Sequence, residues 1–238
     1  MDNDKKVGLW ELDIIARKSG WRLARPQMQE ALDRVIDLAD EGADIALVID
    51  ADDEGAETLR RAESENVVVF GAISDYRYYV RRQHGFAAVV LVSPRKFDAE
   101  DIPCVHYYPV CLHLGVGCQR QASPTIARKL LGEVNASGFS SDAIATIGSI
   151  DTKKDEPLMR ELKGLCPKAE LHFFPAEALA KVKIPNPSDK VFESSGCYGV
   201  AEAAALIENE KGKVLIERQK KKIEVGGKIQ HYTFALSR

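Results

Sequence analysis

LHLGVGCQRQAS, residues Leu112 to Ser123, is the stretch on which the reading of the chain turns. Leu112, Leu114 and Val116 alternate with the period of a strand. Gly115 and Gly117 sit between and after them, Cys118 and Arg120 follow, and Ser123–Pro124 has the residue types of a helix N-cap and first helical position. Strand, glycine-rich turn and helix together can cradle phosphate or carboxylate, because glycine lets an anion approach backbone N–H groups. The dinucleotide fingerprint wants a third glycine where Arg120 stands. A nucleotide-binding turn and an ordinary tight strand–helix connection therefore both stand as readings of these twelve residues.

Outward toward the C-terminus, Ile126, Ala127, Leu130, Leu131 and Val134 mark one face of a helix. Ala143 to Ile147 reads as a strand ending in the loop Gly148–Pro157, in which Thr152 or Asp155 is placed to cap a helix burying Leu158, Leu162 and Leu165. Leu171 to Phe174 is a further strand, with a short helix through Leu179 and Val182. Pro185 and Pro187 force an extended passage. Val200, Ala203, Ala204 and Ile207 form a helix whose many alanines imply close packing on a neighbour. Lys213–Glu217 and Tyr232–Leu236 read as a closing antiparallel pair. Arg218 to Lys222 supplies charge in the connection, and Gly226–Gly227 is a hairpin turn.

Outward toward the N-terminus, Leu9, Leu12, Ile15 and Ala16 predict a helix ending at Ser19–Gly20. Pro26 is placed to start a second, with Met28, Ala31, Leu32, Val35, Leu38 and Ala39 on one face and Gly42 after it. Ile45–Ile49, Val67–Phe70 and Ala87–Val92 are short apolar runs of the kind that parallel strands buried on both faces require. Asp50, Asp52, Asp53 and Glu54 sit where acidic residues favour the start of a third helix, with a metal site from the three aspartates as the sharper alternative. The aromatic and basic stretch Asp75–Arg82 reads as a solvated helix with tyrosines wrapped on a core, against a stacking surface for a planar ligand. Pro94 to Pro109 reads as the connection to the second unit. The expectation is an α/β chain of two small units: residues 1–110, and residues 111–238 with a mixed sheet flanked by helices and a closing antiparallel pair.

The chain has 238 residues, 45% of them hydrophobic and 29% charged, with a net charge of −3. That balance is ordinary for a globular protein and argues against a dedicated nucleic-acid binder. No apolar run is long enough to span a bilayer, and MDNDKKVG at the start is not a signal-peptide core. Five cysteines at irregular spacing do not make a disulfide framework, which implies a reducing, cytoplasmic setting. Cys104, His106, Cys111, His113 and Cys118 lack the two-residue gaps of zinc knuckles, so no metal site is assigned.

Ligands of α/β sheets bind beyond the carboxyl ends of strands. The loops placed there are Gly117–Arg120 and Ser149–Glu156. Their glycine amides, arginine and lysines suit a ligand with several carboxylates. Asp151 and Glu156 are candidates for proton transfer. Cys118, beside a basic residue and a helix start, is a candidate for a lowered thiol pKa, with a half-buried inert cysteine as the alternative. Ser123 has no His–acid pair at a diagnostic spacing, and capping accounts for it.

Four stretches carry a family resemblance. GVGCQRQAS (Gly115–Ser123), SIDTKKDEP (Ser149–Pro157), NPS (Asn186–Ser188) and GCYGVAEAAAL (Gly196–Leu206) resemble, in order, motifs of the C-terminal domain of the CbiG/CobE family of cobalamin biosynthesis. The closing FALSR resembles the family's last strand, and GLWELDIIARKSGWRL (Gly8–Leu23) resembles the middle region of CbiG proteins. Gln119 and Gln121 depart from the family's arginine and glycine in the turn. The resemblance implies a cobalt-precorrin-5A hydrolase, which opens a δ-lactone on the corrinoid ring and releases acetaldehyde. For that substrate the loop chemistry makes Asp151 or Glu156 a candidate to activate water and Lys153 a candidate to stabilise the oxyanion. Gly115, Gly117, Cys118, Arg120, Ser149, Lys154, Asn186, Gly196 and Glu202 become candidates for substrate binding. The cobalt belongs to the substrate, so no cofactor is expected. The sequence starts about where the family's N-terminal domain would end, as in a split gene, a truncated homologue or an expressed fragment; a separately encoded N-terminal domain and a second copy of the chain are both open as partners beside the corrinoid intermediate. The alternatives are a non-catalytic corrinoid-binding component that needs such a partner, and a nucleotide-binding regulatory module.

Overall fold

The computed structural model describes residues 7–25, 28–62, 64–83, 85–99, 101–209 and 212–238. Pro26, expected to open the second helix, lies outside the described residues. The chain divides into two units, residues 1–110 and 111–238. Each has its own five-stranded sheet.

In the first unit, β2 (Ile45–Ile49), β3 (Val67–Phe70), β4 (Ala88–Val92) and β5 (Cys104–Tyr108) run parallel in the order β5-β4-β2-β3. The two-residue β1 (Arg22–Leu23) adds to β5 antiparallel. All five residues of β2 and of β4 are buried, which is why these strands read as unbroken apolar runs. Ile45, Leu47 and Ile49 pack with α1 (Leu12–Lys18), α2 (Met28–Asp40) and α3 (Glu54–Leu59). Ala46 and Val48 face the opposite way, with α4 (Ile73–Val80) and an aromatic cluster of Phe70, Tyr76 and Phe86. Asp53 caps α3 by accepting from the Ala56 N–H at 2.9 Å and takes the Trp21 indole N–H at 2.7 Å. Asp50 instead accepts from the Ser93 hydroxyl at 3.0 Å, so the aspartates divide between a cap and a strand end. Tyr76 is buried and Tyr79 meets Phe70 edge to face, as a core-wrapped helix requires.

The stretch Pro94–Pro109 is not only a connection. Cys104–Tyr108 between its prolines is a paired strand of the sheet, with Val105 fully buried. The prolines bound a strand short enough to lie wholly between them.

In the second unit the order is β8-β7-β6-β10-β9. β6 (Leu112–Cys118), β7 (Ile144–Ile150) and β8 (Glu170–Phe174) are parallel, joined through α5 (Thr125–Ala136) and α6 (Pro157–Leu165). β9 (Val214–Val225) and β10 (Lys228–Ser237) form a long hairpin whose β10 pairs antiparallel with β6. Gly226 and Gly227, at φ +57° and +74°, supply the two left-handed positions of its turn. The basic run Arg218–Lys222 is therefore strand and not connection.

β7 likewise continues through Gly148, Ser149 and Ile150, which the sequence reading gave to a loop. Asp151–Lys153 then forms a single 3-10 turn. Neither Thr152 nor Asp155 caps α6; Glu156 occupies the cap position and Pro157 the first helical one. Ser123 does accept from the Thr125 N–H, at 3.3 Å.

Gly115 pairs with Gly148 on one side and Ala235 on the other. This row without bulk lets α9 (Val200–Leu206) lie directly on the sheet, with Ala201, Ala203, Ala204 and Ala205 all buried. A Cβ on Gly115 would stand 1.8 Å from the Ala201 carbonyl oxygen. The two glycines of the opening stretch are thus strand residues, and Gly115 exists for helix packing, not for an anion.

Candidate functional site

A cleft of about 830 Å³ opens beyond the carboxyl ends of β6 and β7 in the second unit, where the rule for α/β sheets places ligands. Its walls are the end of β6, the 3-10 turn after β7, α8 (Asp189–Ser195), the first turn of α9 and the base of the hairpin. Arg120, Lys153, Lys190, Arg218 and Lys220 line it together with His231; among the described residues no carboxylate does. These five cations come from four segments, without a facing acid, and such a surface is complementary to a polyanion.

Lys153 is held in place by a buried partner. Its side chain is 14% exposed and pairs at 3.3 Å with Glu156, itself 7% exposed. The other Glu156 oxygen accepts from the Ala122 N–H at 3.1 Å. Glu156 thereby ties the β6–α5 turn to the β7–α6 turn and fixes Lys153 at the cleft wall. An ammonium has three N–H donors, and this bond uses one.

The remaining candidates separate by geometry. Gly117, Cys118 and Arg120 line the cleft. Asp151 and Lys154 are exposed outside it. Ser149 is fully buried in β7 and donates to the Val116 carbonyl at 2.7 Å, so it joins strands. Gly196, at φ +76°, ends α8 in the left-handed conformation that glycine favours. Asn186 and Glu202 bond to each other behind the cleft at 2.7 Å. Burial pushes the Cys118 thiol up to about 11, outweighing the nearby Lys153, so the expectation of a lowered pKa is reversed.

Lys190, Arg218, Lys220 and His231 escaped the sequence reading. The last three become legible once the hairpin is drawn to full length, since Arg218 and Lys220 then share a face by strand alternation. Lys190 lies on α8, a helix without an apolar stripe to announce it.

Of the alternatives, a nucleotide cradle finds no support in β6, whose glycines face α9 and Thr233. No group of three or more potential metal ligands occurs among the described residues. His106 donates to the Ser93 carbonyl at 3.0 Å, and His113 bonds the Thr146 hydroxyl at 2.9 Å. No helix among the described residues is long and apolar enough to cross a membrane.

Comparison with known proteins gives two family matches. Residues 112–237 match the model described as cobalamin synthesis G C-terminus, and residues 10–109 match the cobalamin biosynthesis central region. The chain is 34% identical over 128 residues to a cobalt-precorrin-5A hydrolase of Priestia megaterium, spanning 50% of this chain but 33% of that protein. It is 32% identical over 111 residues to protein CobE of a Sinorhizobium species, covering 44% of this chain and 70% of the relative. The crystal structure of a CobE from the cobalamin (vitamin B12) biosynthetic pathway shares 29% identity with a TM-score of 0.44, over 53% of this chain and 92% of the other. With one model covering more than half its length and a second covering most of the rest, the chain belongs to the cobalamin synthesis G (CbiG) family of cobalamin biosynthesis.

Proposed function

We propose that the chain binds the corrinoid intermediate cobalt-precorrin-5A in the cleft of its second unit and takes part in opening the δ-lactone of that ring. The observation that carries this is the lining of five Lys and Arg side chains without a facing carboxylate. A corrinoid intermediate is a large ring edged with acetate and propionate carboxylates, and such a cleft is complementary to that edge. The relative named as a cobalt-precorrin-5A hydrolase supports the same substrate.

Lactone hydrolysis adds water to the carbonyl carbon, places negative charge on the carbonyl oxygen and then breaks the ring C–O bond to leave a carboxylic acid and an alcohol; the alcohol carbon leaves as acetaldehyde when its C–C bond to the macrocycle breaks, the alcohol giving up its O–H proton and the macrocycle carbon taking one up. Lys153, held by Glu156 with donors to spare, is placed to stabilise that oxyanion. Glu156 acts as its positioning residue. His231, which lines the cleft, takes the proton from water and returns it to the ring oxygen as the C–O bond breaks. Asp151 stands outside the cleft and has no part in this scheme.

A second reading keeps the binding and drops the chemistry: the chain holds the intermediate for a separately encoded N-terminal partner. The lack of a carboxylate base among the cleft residues favours it. One assay separates the two. Cobalt-precorrin-5A is titrated into the purified chain, its absorbance spectrum is followed, and acetaldehyde is measured. Acetaldehyde at turnover, lost in Lys153→Met, supports hydrolysis; spectral change without acetaldehyde supports the holding role; no spectral change sinks both.

A further inference from the structure

We propose that Arg218 is the fixed carboxylate anchor of this cleft and that the buried Glu202 is its positioning residue; the proposal rests on the reading of the cleft as a polycarboxylate receptor. Arg120, Lys190 and Lys220 are exposed, whereas Arg218 is half-buried. Exposed, flexible cations give diffuse attraction that salt screens. A guanidinium held in place can instead grip one carboxylate through two parallel N–H···O bonds.

Glu202, on the first turn of α9, is 0% exposed. Its Oε1 accepts from the Arg218 backbone N–H at 2.9 Å and from Asn186 Nδ2 at 2.7 Å; its Oε2 accepts from the Asn186 backbone N–H at 3.2 Å. One buried carboxylate thus locks together α9, the Pro185–Pro187 passage and β9 at the residue whose side chain enters the cleft. Asn186 Nδ2 also reaches Glu217 at 3.1 Å, bracing β9 on the other side of Arg218.

The guanidinium so placed is incomplete. Arg218 Nη1 is buried and has no hydrogen-bond partner. Leaving a charged donor buried and unpaired is costly, and a ligand oxygen removes that cost. Gly199 packs against the same group: a Cβ there would stand 3.6 Å from Nη1 and 2.7 Å from Ile184 Cδ1, so the bare backbone lets the guanidinium lie close beside this turn at the cleft wall. A lysine or a hydrogen-bonded arginine would bind anions here; an arginine pinned at its backbone and unpaired at its tip selects where one carboxylate sits.

The test uses the full chain and two probes. Uroporphyrin I is a tetrapyrrole ringed with carboxylates, and citrate is a polycarboxylate without a ring. Affinities for both are measured by calorimetry at low and high salt. Arg218→Lys should weaken both about tenfold, a loss that high salt does not erase, whereas Lys190→Gln and Lys220→Gln each lose less than about threefold, mainly at low salt. Glu202→Gln, checked for folding by circular dichroism, should weaken binding in the parent and do so no further once Arg218→Lys is present. A merely structural Glu202 would weaken both backgrounds alike and overturn the positioning role. Unchanged binding in Arg218→Lys, losses there no larger than in the lysine variants, or no binding of either probe by the parent chain overturns the anchor. Citrate bound through Arg218 with uroporphyrin I excluded supports the anchor and counts instead against the corrinoid reading.

Discussion

Replacing Gly115 by alanine should displace α9 and damage the cleft together. The added Cβ meets the Ala201 carbonyl oxygen at 1.8 Å, the Ala205 nitrogen at 2.7 Å and the Ala201 carbonyl carbon at 2.9 Å. All three are backbone atoms of a helix, so no side chain can swing aside. An ordinary C···O approach is near 3.3 Å, so α9 must retreat by about 1.5 Å. Overpacking costs about 1–3 kcal/mol when side chains can adjust, and a rigid helix puts this case at about 3 kcal/mol or above. Gly148→Ala is the graded comparison: its Cβ meets the Ala204 carbonyl oxygen at 2.8 Å, so a shift of about 0.5 Å and a cost of about 1 kcal/mol suffice. The chain's two tryptophans, Trp10 and Trp21, both lie in the first unit. Urea unfolding is therefore followed by tryptophan fluorescence for that unit and by hydrogen exchange of β6 and β7 amides for the second. Because Gly199, Val200 and Ala201 line the cleft, affinity for a tetrapyrrole polycarboxylate should fall along with second-unit stability. A Gly115→Ala protein whose β6 protection drops by less than about 1 kcal/mol would refute the reasoning, since no neighbour is then as rigid as argued.

Three further outcomes follow from the same coordinates. Gly164 lies within α6 with nothing within 4 Å of a Cβ, so Gly164→Ala should stabilise the second unit by about 0.5–1 kcal/mol in the same exchange measurement. Burial holds the His106 imidazole down to about 4, while the unfolded residue titrates near the ordinary 6.5. The unfolded state therefore binds the extra proton between those values, so first-unit stability is full above pH 6.5 and falls toward pH 4. His106→Asn should remove this component from the tryptophan-monitored pH profile. With its thiol up at about 11, Cys118 should react slowly with iodoacetamide at neutral pH and faster as pH rises toward that value, read by peptide mass spectrometry.

Where burial is two-sided, the sequence states its structure openly. IALVI and AVVLV have no polar face because neither side of the strand meets water, and the alanines of α9 announce a close approach before its partner is known. The partner is harder to read. Gly115 and Gly148 look like turn residues locally, and only their pairing across β6 and β7 reveals a floor cleared for a helix. Cys104–Tyr108 hides between prolines that suggest irregular chain. Arg218–Lys222 looks like a solvated loop because an edge strand's charges carry no apolar alternation. Of the candidate site, Gly117, Cys118, Arg120 and Lys153 were legible from local motifs. Arg218 and His231 were not: His231 reaches the cleft because β10 pairs with β6, more than a hundred positions away, and Arg218 because β9 in turn pairs with β10.

That pairing also orders events in time. Thr233 donates to the Gly117 carbonyl across 116 residues of chain, and β10 lies between β6 and β9 in the finished sheet. On the ribosome, β6 through β8 emerge long before β10. Until it arrives, β6 presents an open and mostly apolar edge, the kind that recruits strands from other chains. The glycines that admit α9 in the folded protein are then a hazard of synthesis. Slowed translation between β8 and β10 should prolong the nascent chain's dependence on chaperones, while the first unit, whose own strands all precede β6, is already free to fold.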